Sequence, residues 1–340
     1  MHTRRTVAST VQGSSGFGRL SSGWEKRQMK KYAIVFDVGG LFIKAAVMNE
    51  SGQLVPGTYM IYPSRSKEKK EELLGHLVDL VKQQANRIIA RTFQIEGIGY
   101  AFPGPFDYER GISYIRAVDK FEDIYGVNLR EELSHRLAQE SSFAGKRAPS
   151  FRIVFENDAN LFALGEYDTG KAGRFAKVIC LTIGTGAGSA FLENGELVKH
   201  RKDVPDNGWI YNQPFRESVV DDYISKRGIV RLMRESGLDS DSLDVKNAAE
   251  LAKAGDQRAI AVFRRFGEMV GEMLLPFLKS FQPEAVVIGG QIVKSRELFI
   301  GSTREVLRDF PVQLEVTDET SISTFAGVSR LLKQPYNATK

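Results

Sequence analysis

The sequence has a single cysteine, Cys180, in 340 residues. A lone thiol excludes an internal disulfide framework. With only four histidines, at positions 2, 76, 135 and 200, it also excludes a zinc cluster built from several cysteines. Long apolar runs are missing, since none approaches the roughly 20 residues of a membrane-spanning helix. No membrane partner is expected, and a reducing, cytoplasmic compartment fits this cysteine usage. An excess of one charge is missing from most of the chain as well. The formal charge is +5, from 47 basic and 42 acidic residues. Residues 1–31 hold Arg4, Arg5, Arg19, Lys26, Arg27, Lys30 and Lys31 against Glu25 alone, a net of +6. Residues 32–340 therefore carry 40 basic and 41 acidic side chains. The basicity that would invite nucleic acid belongs to a leader, so no specific nucleic-acid partner is expected.

What is present is regular. The length suggests about two domains and is ample to bury a core without staples. Residues 1–28 are rich in Ser, Gly and Arg and lack apolar periodicity, so they bury too little surface to offset ordering. Organelle transit peptides share this acid-poor composition. The reading adopted is an upstream extension with Met29 as the effective start, and residues 1–31 are set apart as a disordered basic leader. YAIVFD (32–37) reads as a buried strand entering a Gly-Gly turn, with strands over 44–49 and 54–62 after it. The apolar spacing predicts helices over 67–91 and 129–139, and strands over 94–101 and 151–156. A helix opens at Asn157-Asp158 and runs to Tyr167. KVICLTI (177–183) then repeats the opening pattern, followed by a strand over 188–192 and the hairpin signal Asn194-Gly195. A repeat at a period of about 145 residues is a duplicated domain, not a solenoid. Helices are predicted over 219–236, 245–254 and 256–281, then a strand over 285–288, a helix to about 309, a short strand over 314–316 and a closing helix over 324–332. The division expected is 32–150 and 151–340, both α/β, with the closing helix packing back on the N-terminal domain.

Three strands end in glycine turns: Gly39-Gly40, Gly184-Thr185-Gly186 and Gly289-Gly290. Glycine lets backbone N–H groups approach a phosphate without a Cβ in the way. Asp37 sits beside the first turn. There it suits a Mg²⁺ held mostly through water and substrate phosphates, or an Asx turn bonding its own backbone. Asp158 stands at a helix N-terminus, where it reads either as an N-cap or as a general base for a substrate hydroxyl. Spacing alone does not separate the two.

DVGGLFIK (37–44), YAFPGPFD (100–107), ENDAN (156–160), LTIGTGAGSAF (181–191) and PEAVVIGGQI (283–292) resemble, in order and spacing, the ROK family of sugar kinases and sugar-responsive repressors. The resemblance covers about residues 32–333. It implies an α/β fold of two actin-like, ribonuclease H-like domains around a central cleft, and a glucokinase-like enzyme of carbohydrate metabolism. By position, Asp158 is the implied catalytic base, deprotonating a hydroxyl of a hexose or amino sugar for attack on the γ-phosphate of ATP. Asn157, Pro103 and Gly104 would contact the sugar, and Asp37 would organise Mg²⁺, through water. Gly39, Gly40 and Lys44 would face phosphate, Gly184, Thr185 and Gly186 would grip the nucleotide, and Gly289 and Gly290 would border its adenosine. Phosphoryl transfer suits such a kit because it needs positioning and charge neutralisation. A homodimer is implied, with 219–236 or the long helix as a candidate face.

The sequence departs from the family pattern in places. Leu41 stands where a threonine usually follows the Gly pair, which removes a hydroxyl donor. The usual zinc loop is absent, so no zinc is expected. The Gly-Glu-x-Gly-His element has no clear counterpart, and Asn207, Trp209 and Tyr211 lie in its region. Trp and Tyr can stack on sugar faces or pack in a core. Asp221 falls near a family glutamate and becomes a sugar-side candidate with Asn207. The family's sugar-binding Asn is replaced near Asp119-Lys120. The phosphoryl-transfer half is retained and the sugar-recognition half altered. The alternative is a sugar-binding regulatory or noncatalytic protein of the same type. Residues 1–31 are too short for the helix-turn-helix of a repressor.

Overall fold

The computed structural model describes residues 29–238 and 244–334. The expected leader before Met29 and the chain after Gln334 lie outside the described residues. Three strands open the fold, β1 (Lys30–Val38), β2 (Phe42–Asn49) and β3 (Met60–Pro63). Helix α1 (Lys70–Asn86) leads to β4 (Phe93–Ala101) and a small hairpin, β5 (Phe106–Asp107) with β6 (Ile112–Ser113). Helices α2 (Leu129–Gln139) and α3 (Ser141–Ala144) precede β7 (Arg147–Glu156). Helix α4 (Asp158–Asp168) then connects to β8 (Lys177–Ile183), β9 (Ala187–Glu193) and β10 (Glu196–Leu197). A second hairpin, β11 (Pro214–Phe215) with β12 (Ser218–Val219), leads to α5 (Val220–Tyr223), α6 (Lys226–Glu235), α7 (Val245–Lys253) and α8 (Gln257–Phe281). The described chain closes with β13 (Ala285–Gly289), α9 (Arg296–Leu307), β14 (Gln313–Val316) and α10 (Thr320–Lys333).

Two five-stranded sheets result, ordered β3-β2-β1-β4-β7 and β10-β9-β8-β13-β14. The order is the same in both, so the sequence repeat is a repeat of topology. In each sheet the first strand pairs antiparallel with the second, and the first, fourth and fifth run parallel. Strand β1 is flanked on both sides, and Ile34, Val35 and Phe36 are fully buried, as a central strand covered on both faces must be. Phe36, Tyr100 and Phe155 stack across β1, β4 and β7, with ring centroids 4.8 and 5.1 Å apart. Such pairs contribute about 0.5–1.5 kcal/mol each beyond area burial and help fix the register of β7. That register brings Asp37, Ala101 and Glu156 into line at the C-terminal ends of three parallel strands, the usual end for a ligand site in an α/β sheet.

Helices α4 and α10 link the two sheets and cross at very close range. A methyl on Gly165 would lie 1.7 Å from the Ser323 carbonyl oxygen, and one on Gly327 would lie 1.9 Å from that of Leu161. Val328 and Leu332 of α10 rest on Gly99 and Gly97 of β4, so the closing helix packs on the first sheet.

Several elements differ from the sequence reading. Strand β7 spans the expected division at 150/151 and belongs to the first sheet through Glu156. The strand expected over 54–62 shrinks to 60–63 with one bridge at Leu54, because Gly57 turns the chain with φ +76°. The helix expected over 219–236 breaks into α5 and α6 at Ile224, where the Ser225 hydroxyl folds back to the Asp221 carbonyl. Helix α10 begins four residues before the expected Thr324.

Candidate active site

The first glycine turn joins β1 to β2. Gly39 N–H is spent inside the turn, on Phe42 O at 2.9 Å. The Gly40 carbonyl accepts from the hydroxyls of Ser64 and Ser66 at 2.5 and 2.6 Å. A trans peptide points its C=O and N–H in opposite directions, so this clamp aims Leu41 N–H away from the serines. Among the described residues neither Gly40 N–H nor Leu41 N–H has a protein acceptor. The Leu41 side chain is 79% exposed and offers no hydroxyl.

Asp37, at the end of β1, accepts from Lys44 Nζ at 3.0 Å. The same ammonium donates to Ser321 Oγ at 2.8 Å. Lys44, expected at a phosphate, commits its charge to Asp37 and to α10. Asp37 stays open on its other oxygen. Among the described residues no group of three or more His, Cys, Asp or Glu is placed to hold a metal ion. One open carboxylate beside a turn with free amides fits a hydrated Mg²⁺ that arrives with phosphates, whose ligands are mostly water and phosphate oxygen.

The second turn joins β8 to β9. Gly184 N–H closes on Gly186 O at 2.9 Å, and Thr185 N–H and Gly186 N–H have no acceptor among the described residues. Asp221, expected at the sugar, instead braces this turn. Its Oδ1 accepts from Ala187 N at 2.7 Å, its Oδ2 pairs with Arg227, and a methyl on Gly186 would meet it at 2.9 Å. Gly289 and Gly290 serve close packing. Gly290 has φ +97°, gives its N–H to Thr320 Oγ1 at 2.7 Å, and lies where a Cβ would strike Ile183.

Asp158 opens α4. Asn157 is its N-cap, with Oδ1 accepting from Ala159 N and Asn160 N at 3.0 and 3.3 Å. Asp158 therefore does not carry the cap. Its Oδ1 accepts from Ala159 N at 2.9 Å, and no side chain among the described residues donates to its Oδ2. The residue is exposed to solvent, and the chain packed around its carboxylate partly desolvates it. That desolvation pushes its pKa up, and the charge of Asp37 adds to the rise; bonding to Ala159 N and the charge of Lys120 act the other way. Gly188 of β9 lies where a methyl would come 3.0 Å from Ala159 Cβ, so the missing side chain lets the second sheet approach this corner.

Pro103 and Gly104 lead into Tyr108, whose hydroxyl donates to Phe102 O at 3.0 Å and would lie 3.3 Å from a methyl on Gly104. Burial pushes the Tyr108 phenol well up, and its bond with Asn157 partly opposes this. Tyr108 also borders a cavity of about 710 Å³ with Glu156, Asn160, Lys199, Asn207 and Trp209. Glu156 is buried, pairs with Lys199 at 2.9 Å, and accepts from Asn160 Nδ2 at 2.9 Å. Asn160 Oδ1 and Trp209 Nε1 are buried without a partner among the described residues. Asn207 and Trp209 line this cavity together, next to the helix that carries Asp158. Sequence reasoning missed Ser321, Ser64, Ser66 and Glu156. Ser321 lies 277 positions from Lys44, and no local pattern could have joined them.

Two sheets of one topology, linked by α4 and α10, with glycine turns and two aspartates at their C-terminal edges, define a two-domain actin-like fold. The ROK family model matches residues 33–328, and the chain belongs to that family. It is 27% identical over 302 residues to a glucokinase of Thermotoga maritima, covering 81% of this chain and 86% of the relative. It is 26% identical over 273 residues to an N-acetyl-D-glucosamine kinase of Haemophilus influenzae, covering 75% and 82%. The crystal structure of a ROK family glucokinase from Streptomyces griseus, in complex with glucose and AMPPNP, superposes with a TM-score of 0.66 at 21% identity, covering 88% of this chain and 98% of that one.

Proposed function

We propose that the chain is an ATP-dependent sugar kinase that transfers the γ-phosphate to a hydroxyl of a hexose or amino sugar, with Asp158 as general base. The observation that carries this reading is the Oδ2 of Asp158, free of side-chain donors among the described residues, held at the cleft beside Asp37 and raised in pKa. A carboxylate that keeps one oxygen open and binds protons more tightly than usual is suited to accept a hydroxyl proton. The relatives named as glucokinase and N-acetyl-D-glucosamine kinase support the substrate class.

In this reading the sugar lies between the Pro103–Tyr108 loop, Asn157 and the cavity wall of Asn207 and Trp209. The triphosphate lies along the Gly40–Leu41 and Thr185–Gly186 amides. Asp37, oriented by Lys44, would hold a hydrated Mg²⁺ beside the phosphates. Bound Mg²⁺ supplies neutralising charge to the phosphate oxygens. Asp158 Oδ2 takes the sugar hydroxyl proton as the oxygen attacks in line. The Leu41 amide needs no reorganisation as charge shifts, because the Ser64 and Ser66 clamp already fixes the Gly40–Leu41 peptide.

The test is ADP release from Mg-ATP across a panel of hexoses and amino sugars, for the wild type and Asp158→Asn. Sugar-dependent release from the wild type only is expected. Equal release from both, or none with any sugar, overturns the reading.

A further inference from the structure

Lys120 lies outside the roles assigned above, yet the fold goes to some length to place it. It sits in the segment between β6 and α2, where Ala117, Asp119 and Phe121 all have φ between 56° and 57°. Non-glycine residues adopt that left-handed region at a cost, and a cluster of them marks a backbone held for a purpose. The holding contacts are explicit. Val118 N–H and Asp119 N–H both donate to the Glu122 carboxylate at 2.8 Å. Phe121 is buried, packs on Phe102 with ring centroids 5.3 Å apart, and donates its N–H to Ser66 O at 2.6 Å. Ser66 is the residue whose hydroxyl also clamps the Gly40 carbonyl. One serine therefore ties the Lys120 segment to the phosphate-facing turn.

The result is visible at Gly40. A methyl built there would lie 3.0 Å from Lys120 Cδ and 4.0 Å from its Nζ. The ammonium thus hangs over the turn whose N–H groups are free. Its charge also reaches the Asp158 carboxylate. Among the described residues it has neither a hydrogen-bond acceptor nor an ion-pair partner. A half-buried ammonium held beside two open amides and near a carboxylate base is placed for a ligand anion.

We propose that Lys120 is a further catalytic residue, whose ammonium contacts the transferring phosphoryl group above the Gly40–Leu41 turn. The proposal rests on the kinase reading and adds to it. It also answers the departure at Leu41, because the turn lacks a hydroxyl donor and the ammonium supplies a donor with full charge. In the step itself, the sugar oxygen forms its bond to the γ-phosphorus as the bond from that phosphorus to the bridging oxygen breaks. The bridging oxygen keeps the electron pair and leaves with ADP, and the hydroxyl proton goes to Asp158. Lys120 keeps its proton throughout and offsets charge on the oxygens in flight, as fixed cations do in phosphoryl transfer.

The experiment compares wild type, Lys120→Met and Lys120→Arg in two assays. The first is calorimetric binding of Mg-AMPPNP and of Mg-ADP without sugar, which depends on no choice of acceptor. Lys120→Met is expected to weaken AMPPNP about tenfold and ADP less than about twofold, since one charge-assisted bond to the γ-phosphate is lost. The second is turnover with an accepted sugar. The kcat of Lys120→Met is expected to fall about 10²-fold or more, as when one preorganised donor is removed, with sugar KM little changed and partial recovery in Lys120→Arg. Unchanged AMPPNP affinity overturns the proposal. So does near-normal kcat in Lys120→Met where Asp158→Asn is inactive, an outcome that leaves the kinase reading standing. If no sugar is phosphorylated, that reading fails, and the AMPPNP-to-ADP comparison still decides whether Lys120 meets the γ-phosphate.

Discussion

Lys44 Nζ lies 3.0 Å from Asp37 Oδ2. Through the bond from the same ammonium to Ser321 Oγ, this pair joins the end of β1 to the first turn of α10. Both partners are partly exposed, and a pair of this kind contributes only about 0–1 kcal/mol to stability. In the proposed reading its larger effect is on direction, because it fixes which oxygen of Asp37 would face the phosphates. Lys44→Met is therefore expected to lower the melting temperature slightly and to raise the Mg²⁺ concentration needed for half-maximal activity severalfold. A Mg²⁺ titration of initial rates, beside a thermal melt, checks both. An unchanged Mg²⁺ requirement contradicts the orienting role.

The pH dependence follows from Asp158. Its pKa is raised first by desolvation and then by the charge of Asp37. In the proposed reaction the ionised form is the base, so kcat/KM is expected to fall as pH drops through a value above the ordinary 3.8. Asp37→Asn removes one cause of the rise, and the acid limb of its residual activity is expected to move to lower pH. A limb that stays or moves upward contradicts the assignment. The same shift has a sign for stability. A carboxyl group that binds its proton more tightly when folded costs stability once pH exceeds its unfolded pKa. Asp158→Asn is expected to melt at or above the wild-type temperature at pH 7, with the difference closing as pH falls.

The crossing of α4 and α10 sets the position of both aspartates. Gly327→Ala would push a methyl against the Leu161 backbone carbonyl, where no flexible side chain can yield. Overpacking of this kind costs about 1–3 kcal/mol. The urea midpoint of Gly327→Ala is expected to fall by the corresponding amount, while Gly145→Ala, with open space around its Cβ, leaves it nearly unchanged. Equal midpoints for the two variants contradict the close-crossing account.

Trp209 tests the sugar side. It lines the cavity beside Asn207 and Tyr108. Trp209→Ala is expected to raise sugar KM about tenfold or more, as loss of an aromatic anchor does, with the KM for ATP within about twofold. A parallel rise in both constants would place Trp209 in the general packing of the fold.

Much of this arrangement is legible in the sequence. The strands at 32–37 and 177–183 read clearly because a short apolar run meeting glycine has few alternatives, and the matched order of the two sheets follows from that repeat. Asp158 is legible as a position, and that it does not carry the cap shows only when Asn157 is seen to take it. Asp221 is misplaced by sequence because its partner, Ala187 N, lies 34 positions away. Lys120 shows only as a departure from a pattern. Its approach to Gly40 depends on left-handed residues that are not glycine and on a shared contact to Ser66, neither of which leaves a local signal.

The central claim is that phosphate moves from ATP to a sugar with Asp158 as base. Phosphorus NMR of a reaction containing Mg-ATP, an accepted hexose or amino sugar and stoichiometric enzyme reads this directly. The account predicts a sugar phosphomonoester resonance growing with ADP in the wild type and absent from a folded Asp158→Asn sample. ATP decaying only to inorganic phosphate, or the same sugar phosphate formed at the same rate by Asp158→Asn, would contradict it.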